Sequence, residues 1–87
     1  MRLDKYLKVS RLIKRRTVAN SACDNGLVLV NDKPARASYE VKVGDRIALH
    51  FGMRLLTVEV LSVQELVRQS EAAMMYRQIE NRKEETA

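Results

Sequence analysis

The sequence predicts a small α+β domain in which two helices lead into a short twisted sheet and one further short helix closes the chain. Three observations carry that expectation. Apolar residues fall at helical spacing up to Gly26, and beyond it come short β-branched runs separated by turn residues. With 87 residues, 46% hydrophobic and 31% charged, the chain has material for one core and for no second core of comparable size.

Leu3, Tyr6 and Leu7 follow the i, i+3, i+4 spacing that lines one helical face, and Leu12 and Ile13 extend the apolar signal, so a first helix is expected over residues 3–9. Val18, Ala19, Ala22 and Cys23 make a narrow stripe for a second helix over about residues 15–25, with Gly26 placed to end it in the left-handed conformation. Arg11 and Lys14 then lie in the interhelix corner. Leu27 to Val30 reads as a strand that Asn31-Asp32-Lys33-Pro34 breaks. Val41 and Val43 alternate ahead of Gly44-Asp45, and Ile47, Leu49 and Phe51 alternate with Arg46, Ala48 and His50 in the period of a half-buried strand. Gly52-Met53-Arg54 separates that strand from Leu56, Val58 and Val60.

The last segment predicts a short amphipathic helix, capped by Ser70, with Ala73, Tyr76, Ile79 and Met75 on one face and Glu71 near the positive end of its dipole. Residues 81–87 offer no apolar anchor before the terminal Ala87, and fraying is expected there. The chain therefore divides into a domain over residues 1–61 and an extension over residues 62–87.

Charge is the second strong signal. Arg2, Lys5, Lys8, Arg11, Lys14, Arg15 and Arg16 stand against the single acid Asp4, which gives residues 1–16 a charge of +6 in a chain of +5. Residues 17–64 sum to 0 and residues 65–87 to −1, so the positive charge is local. Such a stretch attracts polyanions, and neutralising nucleic-acid phosphates releases their counterions. Arginine presents a planar fork that bridges phosphate oxygens or stacks on a base, so Arg2, Arg11, Arg15 and Arg16 are the expected principal contacts; Lys5, Lys8 and Lys14 add diffuse attraction.

Other chemistries find little support. No apolar run approaches a membrane span or a signal-peptide core, which points to the cytoplasm, and the N-terminal apolar stripe is needed for the domain's own core rather than for a membrane surface. Cys23 is a lone cysteine expected to pack a helix, and His50, on the polar side of its strand, has no ligand partners at metal-binding spacing. Neither a catalytic pairing nor a glycine-rich phosphate loop is visible, so no enzyme, cofactor or metal is expected. Met74, Met75 and Tyr76 are expected to close onto the core, with docking to a partner as the alternative.

Met1-Arg2-Leu3-Asp4-Lys5-Tyr6-Leu7, the basic corner Lys14-Arg15-Arg16, and the run from Asp24 through Gly26 and Val30 to Lys33 together resemble the S4 RNA-binding domain family over roughly residues 1–61. Val41-Lys42-Val43-Gly44-Asp45 also fits the valine-x-x-glycine-aspartate pattern that opens a strand in that family. The resemblance implies two helices packed on a small twisted sheet, gripping structured RNA with the helices and their turn. Two positions depart from the usual pattern. Asn31-Asp32-Lys33 replaces the common Asn-Gly-Lys, a change the turn tolerates, and Arg15 stands where many members start the second helix with Ser or Thr. Loss of a hydroxyl cap costs a helix about 1 kcal/mol unless Thr17, Asn20 or a bound phosphate supplies the partner.

Within the family, the stand-alone length, the opening residues and Ser70-Glu71-Ala72-Ala73-Met74-Met75-Tyr76 are most similar to a bacterial group that acts in ribosome-associated quality control. That resemblance implies binding to the RNA of a large ribosomal subunit still obstructed by peptidyl-tRNA, contact with the P-site tRNA, and a partner factor that directs C-terminal alanine tailing. A second stand-alone group, the small heat-shock RNA-binding proteins, implies binding to free large subunits carrying a nascent chain; its chains usually continue into a longer basic tail, unlike the −1 of residues 65–87. The module also accompanies RNA-modifying enzymes, but no catalytic domain follows here. A monomer is expected, because no long apolar stripe demands self-association.

Overall fold

Leucine and tyrosine spacing in the first segment produces α1, Leu3–Val9, and the Ala19–Cys23 stripe produces α2, Arg16–Asp24, in a computed structural model that describes residues 1–65 and 67–83. Leu3, Tyr6 and Leu7 of α1 are fully buried, and Ala19 and Cys23 of α2 face the same core. Gly26 ends the second helix with φ +72, a conformation that glycine reaches without the Cβ penalty. The Leu27 amide donates to the Ala22 carbonyl at 2.9 Å, closing that turn.

The chain then builds an antiparallel sheet from β1, Val28–Val30, β2, Lys33–Pro34, β3, Arg46–Phe51, β4, Arg54–Val60, and β5, Tyr76–Lys83, in the spatial order β2-β1-β3-β4-β5. Asn31 and Asp32 take φ +52 and +70, the two left-handed residues of a tight hairpin turn, so Val30 pairs with Lys33. Pro34, which has no amide to donate, sits on the edge strand where none is required. In register, Val28 faces Leu49, Val30 faces Ile47, and Ile47 faces Val58, so alternate residues of three strands point onto the helices. The core joins these with Leu3, Tyr6, Leu7, Ala19, Cys23, Val60 and Met75.

Two expectations change at the ends of strands. Val41 is buried but Val43 is 65% exposed, because no strand forms there: the Asp45 carboxylate instead accepts from the Lys42 amide, the Tyr39 hydroxyl and the Asn31 amide group, folding residues 42–45 into a turn. Phe51, at the end of β3, is 40% exposed rather than continuing the buried series of Ile47 and Leu49.

The larger difference lies in the C-terminal segment. The short helix is a 3-10 helix, Gln69–Met75, preceded by Arg68 with no side-chain cap, so Ser70 does not cap it. It buries Ala72 and Met75 and leaves Ala73 exposed. Tyr76 and Ile79 do not continue a helical face: they belong to β5, which pairs with β4 from Arg54↔Lys83 to Val60↔Tyr76 through a bulge between Thr57 and Val58. Residues 81–83, expected to fray, are the end of that strand; residues 84–87 lie outside the described residues. Backbone pairing with β4 supplies the anchor that apolar side chains do not. Met75 is 1% exposed and its carbonyl accepts the Tyr6 hydroxyl at 2.7 Å, which ties the C-terminal segment to the first helix.

Candidate nucleic-acid interface

The start of α1 is held from outside the helix. The Leu3 amide donates to the Tyr39 carbonyl at 2.8 Å and the Asp4 amide to the Ala37 carbonyl at 3.1 Å, so the segment preceding β3 satisfies two first-turn donors that no side chain caps. The terminal amine of Met1 pairs with Glu40 at 3.2 Å, and Arg2 bridges Glu40 through the backbone.

Asp4, the only acid among the first sixteen residues, organises the charge around it. Its side chain is 4% exposed. Its oxygens accept from Arg2 Nε at 3.1 Å and Nη2 at 3.3 Å, from Arg16 Nη2 at 3.4 Å, from Asn20 Nδ2 at 3.3 Å, and from the Lys5 amide at 2.8 Å. Two guanidinium groups from two helical ends thus share one carboxylate, leaving a net positive charge with both groups half exposed. Burial pushes the Asp4 carboxyl upward, but the hydrogen bonds from Arg2, Asn20, Arg16 and the Lys5 amide outweigh it and hold the group below its ordinary value. The carboxylate stays ionised and both arginines stay aimed.

Lys5 takes another course. Its ammonium pairs with exposed Glu65, 60 residues further along, and that hydrogen bond lowers the Glu65 carboxyl. The remaining four expected contacts are less constrained. Arg11, Lys14 and Arg15 are exposed in the turn between the helices and Lys8 is half-buried at the end of α1; none has a carboxylate partner among the described residues. Arg11 sits at φ +63, a left-handed position for a residue with a Cβ, and this turn redirects the chain from α1 into α2. Arg15 precedes α2 without a side-chain cap, and neither Thr17 nor Asn20 supplies one, Asn20 being engaged by Asp4. The first amides of α2 therefore face the same electropositive corner, an arrangement that suits phosphate.

All seven expected residues thus lie along α1, the turn and the start of α2, but in two conditions: Arg2 and Arg16 fixed on Asp4, with Lys5 drawn to Glu65, and Lys8, Arg11, Lys14 and Arg15 unpaired among the described residues. Sequence reasoning missed the organising role of Asp4 and Asn20. A lone acid inside a run of seven bases was the signal for the first; nothing local signals the second or Glu65.

Elsewhere the chemistry is quiet. Cys23 is buried, and burial, followed by the negative fields of Asp4 and Asp24, pushes its thiol up to about 11, which suits a packing role and not a nucleophile. His50 is half-buried on β3, and among the described residues no group of three or more His, Cys, Asp or Glu could hold a metal. No helix is long and apolar enough to cross a membrane among the described residues.

Residues 1–47 match the S4 domain family. A relative in Halalkalibacterium halodurans named RQC P-site tRNA stabilizing factor is 53% identical over 76 residues, covering 87% of this chain and 86% of its own length. One of the same name in Bacillus subtilis is 50% identical over 76 residues, covering 87% and 88%. Among solved structures, that of Vibrio cholerae Heat Shock Protein 15, described as trimeric, superposes with a TM-score of 0.85 at 31% identity, covering 91% of this chain and 81% of that one.

Proposed function

The chain belongs to the S4 domain family, and we propose that it is a non-enzymatic RNA-binding factor of ribosome-associated quality control. In this reading it binds the obstructed large ribosomal subunit through subunit RNA and holds the P-site peptidyl-tRNA while a partner factor on the same subunit extends the nascent chain with alanine. Residues 1–61 carry the RNA contacts, and residues 62–87 are an extension whose described part, through Gln69–Met75 and Tyr76–Lys83, folds back on them. The protein works in the cytoplasm as a monomer.

One observation carries the reading: the half-exposed arginines that Asp4 aims outward lie in the S4-matching residues 1–47 of a chain about half identical to relatives named for tRNA stabilisation. Holding a tRNA in place requires no bond to be made or broken. It requires a rigid array of donors facing phosphates, which Arg2 and Arg16 supply, and a wider positive field that draws the RNA in, which Lys8, Arg11, Lys14 and Arg15 supply.

The test is co-sedimentation with large subunits carrying peptidyl-tRNA. Arg2→Ala with Arg16→Ala is expected to remove the protein from the subunit fraction while the fold persists; full retention of the folded double variant contradicts the proposed face. A second reading, a heat-shock-type protein on free subunits with a nascent chain, draws on the 0.85 TM-score to the Vibrio structure. Imaging of the bound subunit separates them: tRNA in the P-site supports the first and tRNA in the A-site the second. Light scattering of the purified chain tests the monomer.

A further inference from the structure

Beside the helical surface lies a groove that the basic corner does not use. It has a volume of about 590 Å³ and is formed by β2 and the loop after it, with Lys33, Pro34, Ala35, Arg36, Ser38 and Tyr39 in its walls. That size is in the range of small-ligand sites, and the lining combines apolar side chains with two cations, Lys33 and Arg36. Lys33 and Arg36 are exposed, and neither has a carboxylate partner among the described residues. Of the acids nearby, Asp45 is buried in its own hydrogen bonds and Glu40 pairs with the terminal amine, which leaves exposed Asp32 at the hairpin tip and Asp24 in the adjoining cleft.

The groove is built rigidly and joined to the first surface. The Tyr39 hydroxyl donates to Asp45 at 2.9 Å and its amide to the Arg36 carbonyl at 3.0 Å, so the ring is held in place. The same loop supplies the Ala37 and Tyr39 carbonyls that fix the start of α1. Arg36 lines both this groove and a neighbouring cleft of about 460 Å³ that Arg2 and Asn20 also line. Arg36 therefore joins the groove that holds Lys33 to the cleft that holds Arg2, in which Asp24 also lies.

We propose that this groove takes an unpaired nucleotide of the bound RNA, with its phosphates on Arg36 and Lys33 and its base against Pro34, Ala35 and the Tyr39 ring. The assignment rests on the RNA-binding reading above and adds to it a site for single-stranded RNA distinct from the phosphate contacts of the helices. Aromatic and apolar side chains in one groove with two cations suit a splayed nucleotide, since every base offers a face for stacking and a duplex buries those faces. Ser38, exposed at the rim, offers a hydroxyl to a base edge or ribose.

The experiment compares binding of the full chain to two probes, an RNA stem with a closing unpaired loop and a blunt duplex of the same stem. Lys33→Ala with Arg36→Ala is expected to weaken stem-loop binding about tenfold and to leave duplex binding within about twofold, while Arg11→Ala, Lys14→Ala and Arg15→Ala together weaken both. A 2-aminopurine in the loop is quenched by the wild-type chain and not by the groove variant. Unchanged stem-loop binding by the groove variant, with the corner variant weakened, overturns the inference and leaves the RNA reading standing. Equal weakening on both probes also overturns it, since the groove then adds only general charge. If neither variant alters either probe, the RNA reading falls and the inference with it.

Discussion

The two ends of the first helix carry similar charge and are built in opposite ways. At its start, Arg2 is fixed by Asp4, the Leu3 and Asp4 amides are bound by the loop carbonyls of Tyr39 and Ala37, and the chain terminus is tied to Glu40. At its end the backbone swings through Arg11 at φ +63 into an exposed turn whose bases have no carboxylate partners among the described residues. The difference separates two jobs that charge can do. Fixed donors read a geometry with little ordering cost on binding, whereas mobile exposed cations act through field and counterion release. A surface that must find a large RNA and then hold it in one pose has use for both.

The sharpest way to break the comparison is to remove the anchor. Asp4→Ala is expected to cost about 1–3 kcal/mol in chemical denaturation, the range of hydrogen bonds to charged groups, discounted because both arginines are half exposed. The same variant should lose RNA affinity, though less than Arg2→Ala with Arg16→Ala, even though it makes the surface more positive; tighter binding would show that charge alone governs. Next in size, Tyr6→Phe removes one of three donors to the Met75 carbonyl, which keeps the Leu61 and Ser62 amides, and should cost about 1 kcal/mol with RNA affinity unchanged, measured by denaturation and a binding titration.

Acid provides a reagent-free version of the same test. Asp4 and Asp45 are both held below their ordinary carboxyl value of 3.8 when folded: each is raised by burial, but more than compensated by its hydrogen-bond donors. The unfolded chain then binds protons first as pH falls, so their contribution is complete above about pH 5 and is lost as pH drops through 3.8 and below. A denaturation series from pH 6 to pH 3 should show this fall, with a shallower slope in Asp4→Asn.

The smallest effect belongs to the free end. Arg11→Gly relieves the left-handed strain and should stabilise the fold by about 0.5–1 kcal/mol while weakening RNA binding, the opposite signs expected of a residue kept for contact. A loss of stability in thermal melts would mean that the arginine side chain supports the turn.

How far these regions could be read in advance follows the same division. Both helices and β1, β3 and β4 were legible because their signals are local: Leu3, Tyr6 and Leu7 repeat at helical spacing, Ile47 and Leu49 at strand spacing, and Gly26 marks a stop, whereas the short β2, Lys33–Pro34, lies in the stretch read only as a break. Ala73, Tyr76 and Ile79 repeat at helical spacing too, yet Tyr76–Lys83 is a strand, because the open edge of β4 pairs with seven of its eight residues, a partner that no local pattern announces. The candidate site shows the same limit. The seven bases were visible as composition, but the pairing of Lys5 with Glu65 and the meeting of Arg2 and Arg16 on Asp4 depend on how distant segments pack. The groove at Arg36 was invisible for the same reason, since its residues carry no unusual charge along the chain.

The most direct test of the central claim, that this helical surface binds RNA through its phosphates, is the affinity of the purified wild-type chain for large-subunit RNA across a salt series. If about four phosphates are neutralised, the logarithm of the association constant should fall against the logarithm of salt concentration with a slope on the order of −3. A flat response would contradict the account.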